Sequence, residues 1–477
     1  MIAWMQEHAL GTAFVLVWLL AIYSAMRAIL YTRTAQGAAA WTLALLLMPF
    51  LTLPAYWIFG HTKFQGYVSR RQRRMMRADQ ALAQQQQLEQ VLGPPDGRHA
   101  ELHTLARRLG AGGFTRGNRL QLLIDGEATF DAMLAAIATA QDSVLIQFYI
   151  FRDDGIGRRI QQALIERARA GVCVYMLYDE LGSRPARRFL TELADASVQC
   201  HLFNPNRRGY RFQFNFRNHR KLLVVDGRIA FLGGINIGDD YLGKYEKIGP
   251  WRDTHMSVEG PAASQAQVAF FKDWYWATDQ LPRANFHLQP VASGEDDHAL
   301  VWHTGPADAQ PECLLLWLSL INAAQTRIWI ANPYFVPPEP IVQALRLALV
   351  RGVEVRLLVP ARNDNLLVQL ASQPYLADMI KTGAAVYEWH DGFMHQKTCL
   401  IDDDLAMIGS ANLDNRSIFI NFEISAVLVA PEFINQVTDM LEMDFARARQ
   451  RSIQQFHDVG MPRRLLCRAA TMLAPML

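Results

Sequence analysis

One pattern of helix and strand occurs twice in the chain, and this duplication constrains the fold more than any other feature. Residues 160–179 (IQQALIERARAGVCVYMLYD) resemble residues 341–360 (IVQALRLALVRGVEVRLLVP), and each segment has the periodicity of an amphipathic helix followed by a strand. Gly171 and Gly352 stand between helix and strand, where a left-handed residue commonly ends a helix. The preceding strands, VLIQFYIF and IWIANPYFV, repeat in the same order. We therefore predict two duplicated α/β domains with mixed sheets.

Composition places the boundaries of these domains. We expect the first at 118–285 and the second at 296–477, because the polar, proline-containing stretch 281–297 separates them. Upstream, residues 61–117 have the composition of a basic segment followed by a helical linker. The second domain ends in an amphipathic segment, 461–477, which we interpret either as a helix at a membrane interface or as a helix docked on the domain.

The N-terminal region, residues 1–60, is apolar. The stretches 9–26 and 37–60 carry no charge, and at about 1.5 Å per residue either can cross a hydrocarbon layer of about 30 Å. A buried helical hairpin or a signal peptide is the alternative, but the first eight residues lack the Lys or Arg of a signal peptide. We predict two transmembrane helices, with Pro49 and Pro54 expected to kink the second.

Charge predicts the orientation of these helices. The run 61–77 contains one lysine and five arginines and no acidic residue. The positive-inside rule therefore places the chain from residue 61 onward, and the N-terminus, in the cytoplasm. The same run would attract an anionic leaflet, at about 1 kcal/mol per charge near the surface, unless it is a topology signal alone.

Each half of the duplication carries the motif His-x-Lys-x-x-x-x-Asp, with an asparagine seventeen residues after the histidine. The two sets are His219, Lys221, Asp226 and Asn236, and His395, Lys397, Asp402 and Asn412. Because side chains on a strand alternate between its faces, the histidine and lysine of each copy point the same way. One copy would be weak evidence, whereas two copies at equivalent positions are strong evidence for a functional site.

The Asp-Gly pair at 226–227 predicts a tight two-residue turn after the first motif. Counting outward from that turn places Gly233 beside Arg220 and Gly234 beside His219. Glycine lets backbone N–H groups approach an anion closely. One end of the hairpin would then collect an imidazole, an ammonium group, an amide and open backbone, which together suit a phosphate diester.

The motif aspartates, Asp226 and Asp402, fall at the opposite, turn end of their hairpins. We expect them to shape the turns, and the alternative is a catalytic role beside the His and Lys pairs. The second copy carries Ser410 where the first has Gly234, so a hydroxyl is present on one side only. The candidate phosphate-binding residues are thus Asn236, Asn412, Gly234 and Ser410.

A histidine that acts as nucleophile or base needs an acceptor for its second ring nitrogen. Asp253 in WRDTH and Glu423 in NFEIS are the candidates, and the alternative is that both are ordinary surface acids. No cluster with metal-ligand spacing is visible, and the five cysteines form no C-x-x-C pair, which fits a reducing compartment. We therefore expect neither a metal nor another cofactor.

These residues resemble the phospholipase D superfamily over roughly 118–450. With the two apolar stretches, the basic run and the phrases NPYFVP, GSANLDNRS and NFEIS, the layout is similar to bacterial cardiolipin synthases of the phospholipase D type. The resemblance implies one active site at the interface of the two domains, in the bacterial inner membrane. The implied reaction transfers a phosphatidyl group between two phosphatidylglycerols and gives cardiolipin and glycerol.

The resemblance also implies roles for the site residues. His219 would attack the phosphorus of one phosphatidylglycerol while protonated His395 gives its proton to the departing glycerol oxygen. His395 would then take a proton from the hydroxyl of a second phosphatidylglycerol, although the pseudo-symmetry allows the reverse assignment. Asp253 would orient His219 and Glu423 would orient His395. The motif lysines and asparagines would hold the non-bridging oxygens.

Three alternatives remain open. The same site could use water as acceptor and act as a membrane-bound phospholipase D hydrolase. A tethered nuclease is disfavoured by the net charge of +2, and a non-catalytic scaffold by the two intact motifs.

The basic and aromatic residues of 207–221 could stack on nucleic acid, but they fit better a loop at the lipid headgroups or a partly buried segment. We therefore expect a phospholipid partner and no nucleic acid.

Overall fold

The computed structural model of the 477-residue chain describes residues 9–60, 91–183, 185–204, 215–244, 249–291 and 295–476. The basic run 61–77 and residues 207–214 of the aromatic segment lie outside these ranges, so the predictions made for them are untested. The N-terminal helices belong to one compact unit and the duplicated domains to a second.

The described residues of the N-terminal unit form three helices: α1 (Ala9–Tyr31), α2 (Ala35–Leu47) and α3 (Pro49–Phe59). They pack through small and aromatic side chains, and the indole Nε1 of Trp57 donates to Ser24 Oγ at 3.2 Å. Among the described residues, one helix, Gly11–Tyr31, is long and apolar enough to cross a membrane. The first predicted span therefore has the length and composition that the sequence indicates.

The predicted second span is not a single helix. The uncharged stretch 37–60 divides between α2 and α3, and both are shorter than a spanning helix, so two transmembrane helices are not confirmed. The break falls at Met48, whose φ and ψ are −136° and 56°. Proline disfavours helical geometry in the residue before it and has no N–H to donate, so Pro49 starts a new helix where only a kink was expected. Pro54 lies inside α3.

The first repeat follows helix α4 (His99–Leu109) and ends in the long helix α8. Its elements are β1 (Thr115–Ile124), α5 (Asp125–Thr139), β2 (Ser143–Phe148), α6 (Gly155–Arg169), β3 (Cys173–Tyr178), α7 (Arg187–Asp195), β4 (Gln199–Leu202), β5 (Lys221–Val225), β6 (Ile229–Gly233), a 3₁₀ turn (Asp239–Leu242), β7 (Trp251–Arg252), β8 (Thr254–Glu259) and α8 (Pro261–Thr278).

The second repeat runs through the same series and adds a C-terminal extension. Its elements are β9 (Asp297–Thr304), α9 (Glu312–Ala323), β10 (Arg327–Ala331), β11 (Phe335–Val336), α10 (Glu339–Val350), β12 (Glu354–Pro360), α11 (Leu366–Thr382), β13 (Ala385–Trp389), β14 (Phe393–Met394), β15 (Thr398–Ile401), β16 (Leu405–Gly409), β17 (Leu413–Asp414), α12 (Asn415–Phe419), β18 (Glu423–Val429), α13 (Pro431–Arg447), β19 (Arg449–Gln450), α14 (Gln454–His457), α15 (Met461–Thr471) and a 3₁₀ turn (Ala474–Met476).

The two repeats share one mixed sheet. Its strand order is β19-β13-β12-β10-β15-β16-β18-β9-β1-β8-β6-β5-β2-β3-β4, so the first repeat mirrors the order of the second about the β9–β1 pair. Strands β2, β3 and β4 are parallel, whereas β5 runs antiparallel to β2. The predicted fold class, two duplicated α/β domains with mixed sheets, is confirmed.

Strand β5 explains why LLVV shows no alternation of apolar and polar residues. Leu222 and Val224 pack into a core layer with helix α8, whereas Leu223 and Val225 pack into a second layer with helices α5 and α6. A strand covered by helices on both faces is apolar throughout. The hairpin that carries the first motif is therefore a central element of its repeat.

The hairpin turns are one residue longer than the sequence predicts. Val225 pairs with Ile229, so a three-residue connection starting at Asp226 replaces the expected two-residue turn. Asp226 and Gly227 both adopt left-handed backbone conformations, with φ of 52° and 65°. The added residue shifts the register by one, so that the pairing continues with Gly233 opposite Lys221 and not Arg220.

The motif aspartates attach each turn to a neighbouring strand. Asp226 Oδ1 accepts backbone N–H groups of Asp142 at 2.7 Å and Ser143 at 2.9 Å, where β2 begins. Asp402 does the same at the start of β10 and also pairs with Arg98. Both lie at the far end of the hairpin from the histidines. The structure therefore supports the turn-shaping interpretation of both and places neither beside the His and Lys pairs.

Replacing Asp402 by Asn should destabilise the second repeat. Burial opposes its ionisation, but the backbone N–H groups of Arg327 and Thr326, together with the side chains of Arg98 and Thr326, outweigh burial and hold the pKa of Asp402 at about 2. A carboxyl whose folded pKa lies below its unfolded value stabilises the fold above the unfolded pKa, about 3.9, and loses that contribution as the pH falls toward 2. At neutral pH we expect a loss of about 2 kcal/mol or more of unfolding free energy, seen as a lower melting temperature in detergent.

The matched control for this change is Asp403→Asn in the same turn. Asp403 is 81% exposed and pairs with Arg327 at the surface, where an ion pair contributes little. Equal melting temperatures for the two variants would contradict the assigned role of Asp402.

Candidate active site

Both motif pairs lie at the start of central strands. His219 and Lys221 introduce β5, and His395 and Lys397 introduce β15. All four are buried, with the histidines 8% and 7% exposed and the lysines 0% and 2% exposed. Burying an ionisable side chain is costly unless it has hydrogen-bonding or charged partners. The partners of these four residues are therefore part of the site.

Backbone groups of the opposite repeat hold each histidine in place. The N–H of His219 donates to the carbonyl of Phe422 at 2.9 Å, and the N–H of His395 donates to the carbonyl of Arg252 at 2.8 Å. The short strands β7 and β14 pair in parallel across the same boundary. The two repeats therefore interlock at the histidines.

Each imidazole is hydrogen-bonded to a carboxylate of the other repeat. His219 Nδ1 lies 3.0 Å from both oxygens of Glu423, and His395 Nδ1 lies 2.7 Å from Asp253 Oδ2. Both carboxylates were predicted as partners, but the predicted pairing of Asp253 with His219 and Glu423 with His395 is wrong. Each carboxylate stands at the start of the strand beside its own hairpin, where the repeats meet, and so reaches the histidine across the boundary.

Gly234 and Ser410 serve these carboxylates. A Cβ on Gly234 would lie 2.1 Å from Asp253 Oδ1, so glycine leaves the space that the carboxylate occupies. The hydroxyl of Ser410 donates to Glu423 Oε2 and accepts the N–H of Ile424 at 3.0 Å. The expected phosphate contact of the serine hydroxyl is therefore not what the structure shows.

The two asparagines differ in their environment. Asn236 donates to the hydroxyl of Tyr241 at 2.7 Å and accepts the N–H of Ile150 at 3.2 Å. Asn412 is 4% exposed, and within the described part of the chain its Oδ1 has no hydrogen-bond partner. Asn412 thus has an unused polar atom, whereas Asn236 is already engaged in the fold.

The pKa values of the two motif lysines lie near neutral pH. Each donates to the carbonyl oxygen of its own motif histidine, at 2.7 Å for Lys221. Burial lowers the pKa of Lys221 to about 7 and that of Lys397 to about 8, although Glu423 and Asp253 oppose the change. A bound anion would favour the charged form of both lysines.

The two carboxylates are unequal in charge. Burial opposes the ionisation of Glu423, but the interaction and hydrogen bond with His219, the charge of Lys221 and the Ser410 hydroxyl together outweigh burial and keep the pKa of Glu423 below its usual value. Burial raises the pKa of Asp253 to about 7, although Lys397 lowers it in part. Glu423 is therefore the stronger anion of the two.

Both motif histidines have lowered pKa values, which favours neutral imidazoles. Burial lowers the pKa of His219, and burial together with the charge of Lys397 holds the pKa of His395 well below its usual value. Both Nδ1 atoms face carboxylates, so the neutral tautomer has its hydrogen on Nδ1 and its lone pair on Nε2. Each ring thus presents a nucleophilic or basic nitrogen.

Aromatic and acidic side chains that sequence analysis did not identify surround the two rings. Tyr149 packs edge-on against His219 with ring centroids 5.0 Å apart, and Trp251 packs against His395 at 5.3 Å. Asp364 accepts a hydrogen bond from Tyr334 at 2.6 Å. The duplication could have identified the two tyrosines, because QFYIF and NPYFV carry Tyr149 and Tyr334 at the ends of equivalent strands.

Beneath the site, two buried ion pairs anchor the motif segments. Arg220, between the motif histidine and lysine, pairs with Asp273 of α8 at 2.6 Å. Arg252 pairs with Asp444 of α13 at 2.8 Å, and Asp444 also accepts from Gln396, the residue between the second histidine and lysine, at 2.7 Å. The residue between each His and Lys therefore points away from the site and fixes the strand.

The Gly234→Ala variant should disturb the site far more than Ser410→Ala. The added Cβ must displace Asp253, which holds His395, whereas position 410 already accommodates a Cβ. A displacement of about 1 Å at a catalytic group costs about 100-fold in rate. We expect kcat of Gly234→Ala to fall by about 100-fold. Ser410→Ala is the matched variant and should lower kcat less. Equal activities would show that the close approach at Gly234 has no role.

Comparisons with known proteins identify the family of the chain. Residues 133–274 and 317–445 match a family model described as cardiolipin synthase, PLD-like domain, and residues 16–61 match one described as phospholipase D-nuclease N-terminal. A Pseudomonas putida protein named cardiolipin synthase A is 43% identical over 99% of both chains. Its Pseudomonas aeruginosa namesake is 44% identical over 98% of this chain and 96% of its own.

A solved structure supports the fold. The phosphatidylserine synthase of Haemophilus influenzae superposes with a TM-score of 0.60 at 14% identity, covering 75% of this chain and 95% of its own. The family model spans more than half of the residues, including both motif histidines, and full-length relatives exceed two-fifths identity. The chain belongs to the cardiolipin synthase family with phospholipase D-like domains.

Proposed function

We propose that the chain is a cardiolipin synthase, which transfers a phosphatidyl group from one phosphatidylglycerol to another and releases glycerol. The observation that carries this proposal is the paired site, in which a carboxylate of the opposite repeat holds Nδ1 of each motif histidine. In the proposed reaction, the Nε2 atoms of both histidines act on one substrate phosphate. The relatives named cardiolipin synthase A support the choice of reaction.

In the first half-reaction, His219 Nε2 attacks the phosphorus of a bound phosphatidylglycerol. The bond from phosphorus to the glycerol headgroup oxygen breaks as the bond to nitrogen forms. His395, in its protonated form, transfers its Nε2 proton to the departing oxygen. Glycerol leaves, and the phosphatidyl group remains on His219.

The unequal carboxylates favour His219 as the nucleophile. An imidazole that attacks phosphorus becomes positively charged, and an ionised partner at Nδ1 stabilises that charge. Glu423, which faces His219, has a pKa below its usual value, whereas the pKa of Asp253 behind His395 is raised to about 7.

In the second half-reaction, the roles of His395 reverse. Its neutral Nε2 accepts the proton of a headgroup hydroxyl on a second phosphatidylglycerol. The resulting oxygen attacks phosphorus, the bond to His219 breaks, and cardiolipin leaves. His395 is protonated again, which restores the acid needed for the next turnover.

Charge in the site links substrate binding to this protonation. The pKa of His395 lies well below its usual value because of burial and the Lys397 charge. A phosphate diester anion beside the ring favours the imidazolium, so substrate supplies the charge that lets His395 act as an acid. Lys221 and Lys397, with Asn412, would stabilise the non-bridging oxygens in the transition state.

The proposed reaction is tested by incubating purified protein with phosphatidylglycerol in liposomes. We expect cardiolipin and glycerol in equal amounts, because each transfer releases one glycerol. Phosphatidic acid as the sole product would instead establish a hydrolase and contradict the proposal.

Variants of the two histidines test the assignment of roles in the same assay. His219→Ala should form no covalent phosphatidyl-enzyme, whereas His395→Ala should retain the nucleophile and form the adduct slowly. An adduct in His219→Ala that maps to His395 would reverse the assignment.

We further propose that the duplicated domains face the bacterial cytoplasm, with α1 crossing the membrane and α2 and α3 returning through it as a broken segment. The length of α1 and the basic run 61–77 support this orientation. A fluorescent reporter fused after Leu477 should be active on the cytoplasmic side. Alkaline phosphatase fused after Thr34, between α1 and α2, should be active outside, and an external C-terminus would contradict the topology.

A further inference from the structure

The C-terminal helix α15 docks on the second repeat by its small side chains and exposes its large ones. Ala470 lies in the helix and Ala474 lies just past its end. Both are 4% exposed and pack in a cluster with residues of α11. Met461, Leu465 and Met472 are 64%, 63% and 80% exposed. Helical spacing places these three on one stripe, opposite the docked face. A helix held only by core packing would have the reverse pattern.

A basic groove runs beside this helix. The cavity, about 470 Å³, lies between α15, α11 and the segment 451–459, and no Asp or Glu lines it. Its cationic lining residues are Lys381, Arg451, Arg463, Arg464 and Arg468. Five cations at one groove without an acidic residue form a strong local positive potential.

Among the residues that the structure describes, Arg451 alone of these cations has an acidic partner. Arg451 pairs with Glu388 at 2.9 Å and covers the ring of Phe456 at 3.8 Å. In the part of the chain that the structure describes, Lys381 and the three arginines of α15 form no ion pair. Their charge is therefore available to a ligand.

We propose that the groove and α15 form a second lipid site, which binds an anionic phospholipid of the membrane surface. The phosphate of the headgroup would lie among the arginines of α15 and Lys381, and the acyl chain would contact the stripe of Met461, Leu465 and Met472. Guanidinium groups match phosphate oxygens in geometry and charge, and exposed Met and Leu match hydrocarbon. The groove contains none of the motif residues, so this site is separate from the catalytic one.

The occupant follows from the combination of charge and apolar surface. Single-stranded nucleic acid would stack on exposed aromatic rings, and the one aromatic ring that lines the groove, Phe456, is covered by Arg451. A duplex would use the arginines but would leave the Met and Leu stripe facing water. An acidic peptide would use the arginines but would leave the Met and Leu stripe facing water. A bilayer surface satisfies both features at once, because its phosphates and acyl chains are adjacent.

The test uses the full chain in phosphatidylcholine nanodiscs doped with a photoactivatable phosphatidic acid whose acyl chain carries the reactive group. After irradiation and digestion, we expect the label on peptides from 451–476. The triple variant Arg463→Gln/Arg464→Gln/Arg468→Gln should lower this labelling by about tenfold or more, because three charges near an anionic headgroup are lost. The double variant Leu465→Ser/Met472→Ser tests the apolar stripe independently and should also lower it.

Three controls make the outcome decisive. Arg108→Gln/Arg169→Gln/Arg187→Gln removes three exposed arginines elsewhere and should leave the labelling unchanged. A phosphatidylcholine probe of the same design should label the segment weakly. His219→Ala should label like the unaltered chain, so that failure of the catalytic proposal is distinguished from failure of this one. Equal labelling by both probes, full labelling of the triple variant, or displacement by an acidic peptide but not by anionic lipid would overturn the proposal.

Discussion

Two buried imidazole–carboxylate hydrogen bonds that cross the repeat boundary are the constraint on which the site depends. His219 meets Glu423, and His395 meets Asp253, so neither repeat holds a complete catalytic group by itself. The crossing also fixes the relative position of the two hairpins, because each histidine backbone is bonded to the opposite repeat. Duplication thus produces one shared site in place of two separate ones.

The charges of this site lie in the interior and are compensated by further buried groups. Arg220 with Asp273 and Arg252 with Asp444 anchor the strands from below, where they leave no unpaired ion. Because Gly234 has no Cβ, the Asp253 carboxylate can occupy the space beside it. Both histidines and both lysines have lowered pKa values, and a phosphate anion beside them would favour their charged forms.

Local patterns predicted the elements well and the register less well. The period-two spacing predicted His219 and Lys221 on one face, and the apolar run after them predicted a strand, which the structure shows as a fully buried one. The turn at Asp226 holds one more residue than an Asp-Gly pair indicates, because a third residue follows the two left-handed residues before Val225 pairs with Ile229. The second apolar stretch was predicted as one span because hydropathy takes no account of backbone hydrogen bonds. Pro49 divides it into two helices.

The sequence by itself determined the duplication, the two His and Lys pairs and the two acids that serve them, because each is a matter of residue type and spacing. Only the tertiary structure decided which acid serves which histidine. That choice spans 204 residues for His219 and 142 for His395, and it depends on the packing of two repeats about the β9–β1 pair. Separation along the chain carries no information about such a contact, since a shared sheet brings equivalent strand ends together from both repeats.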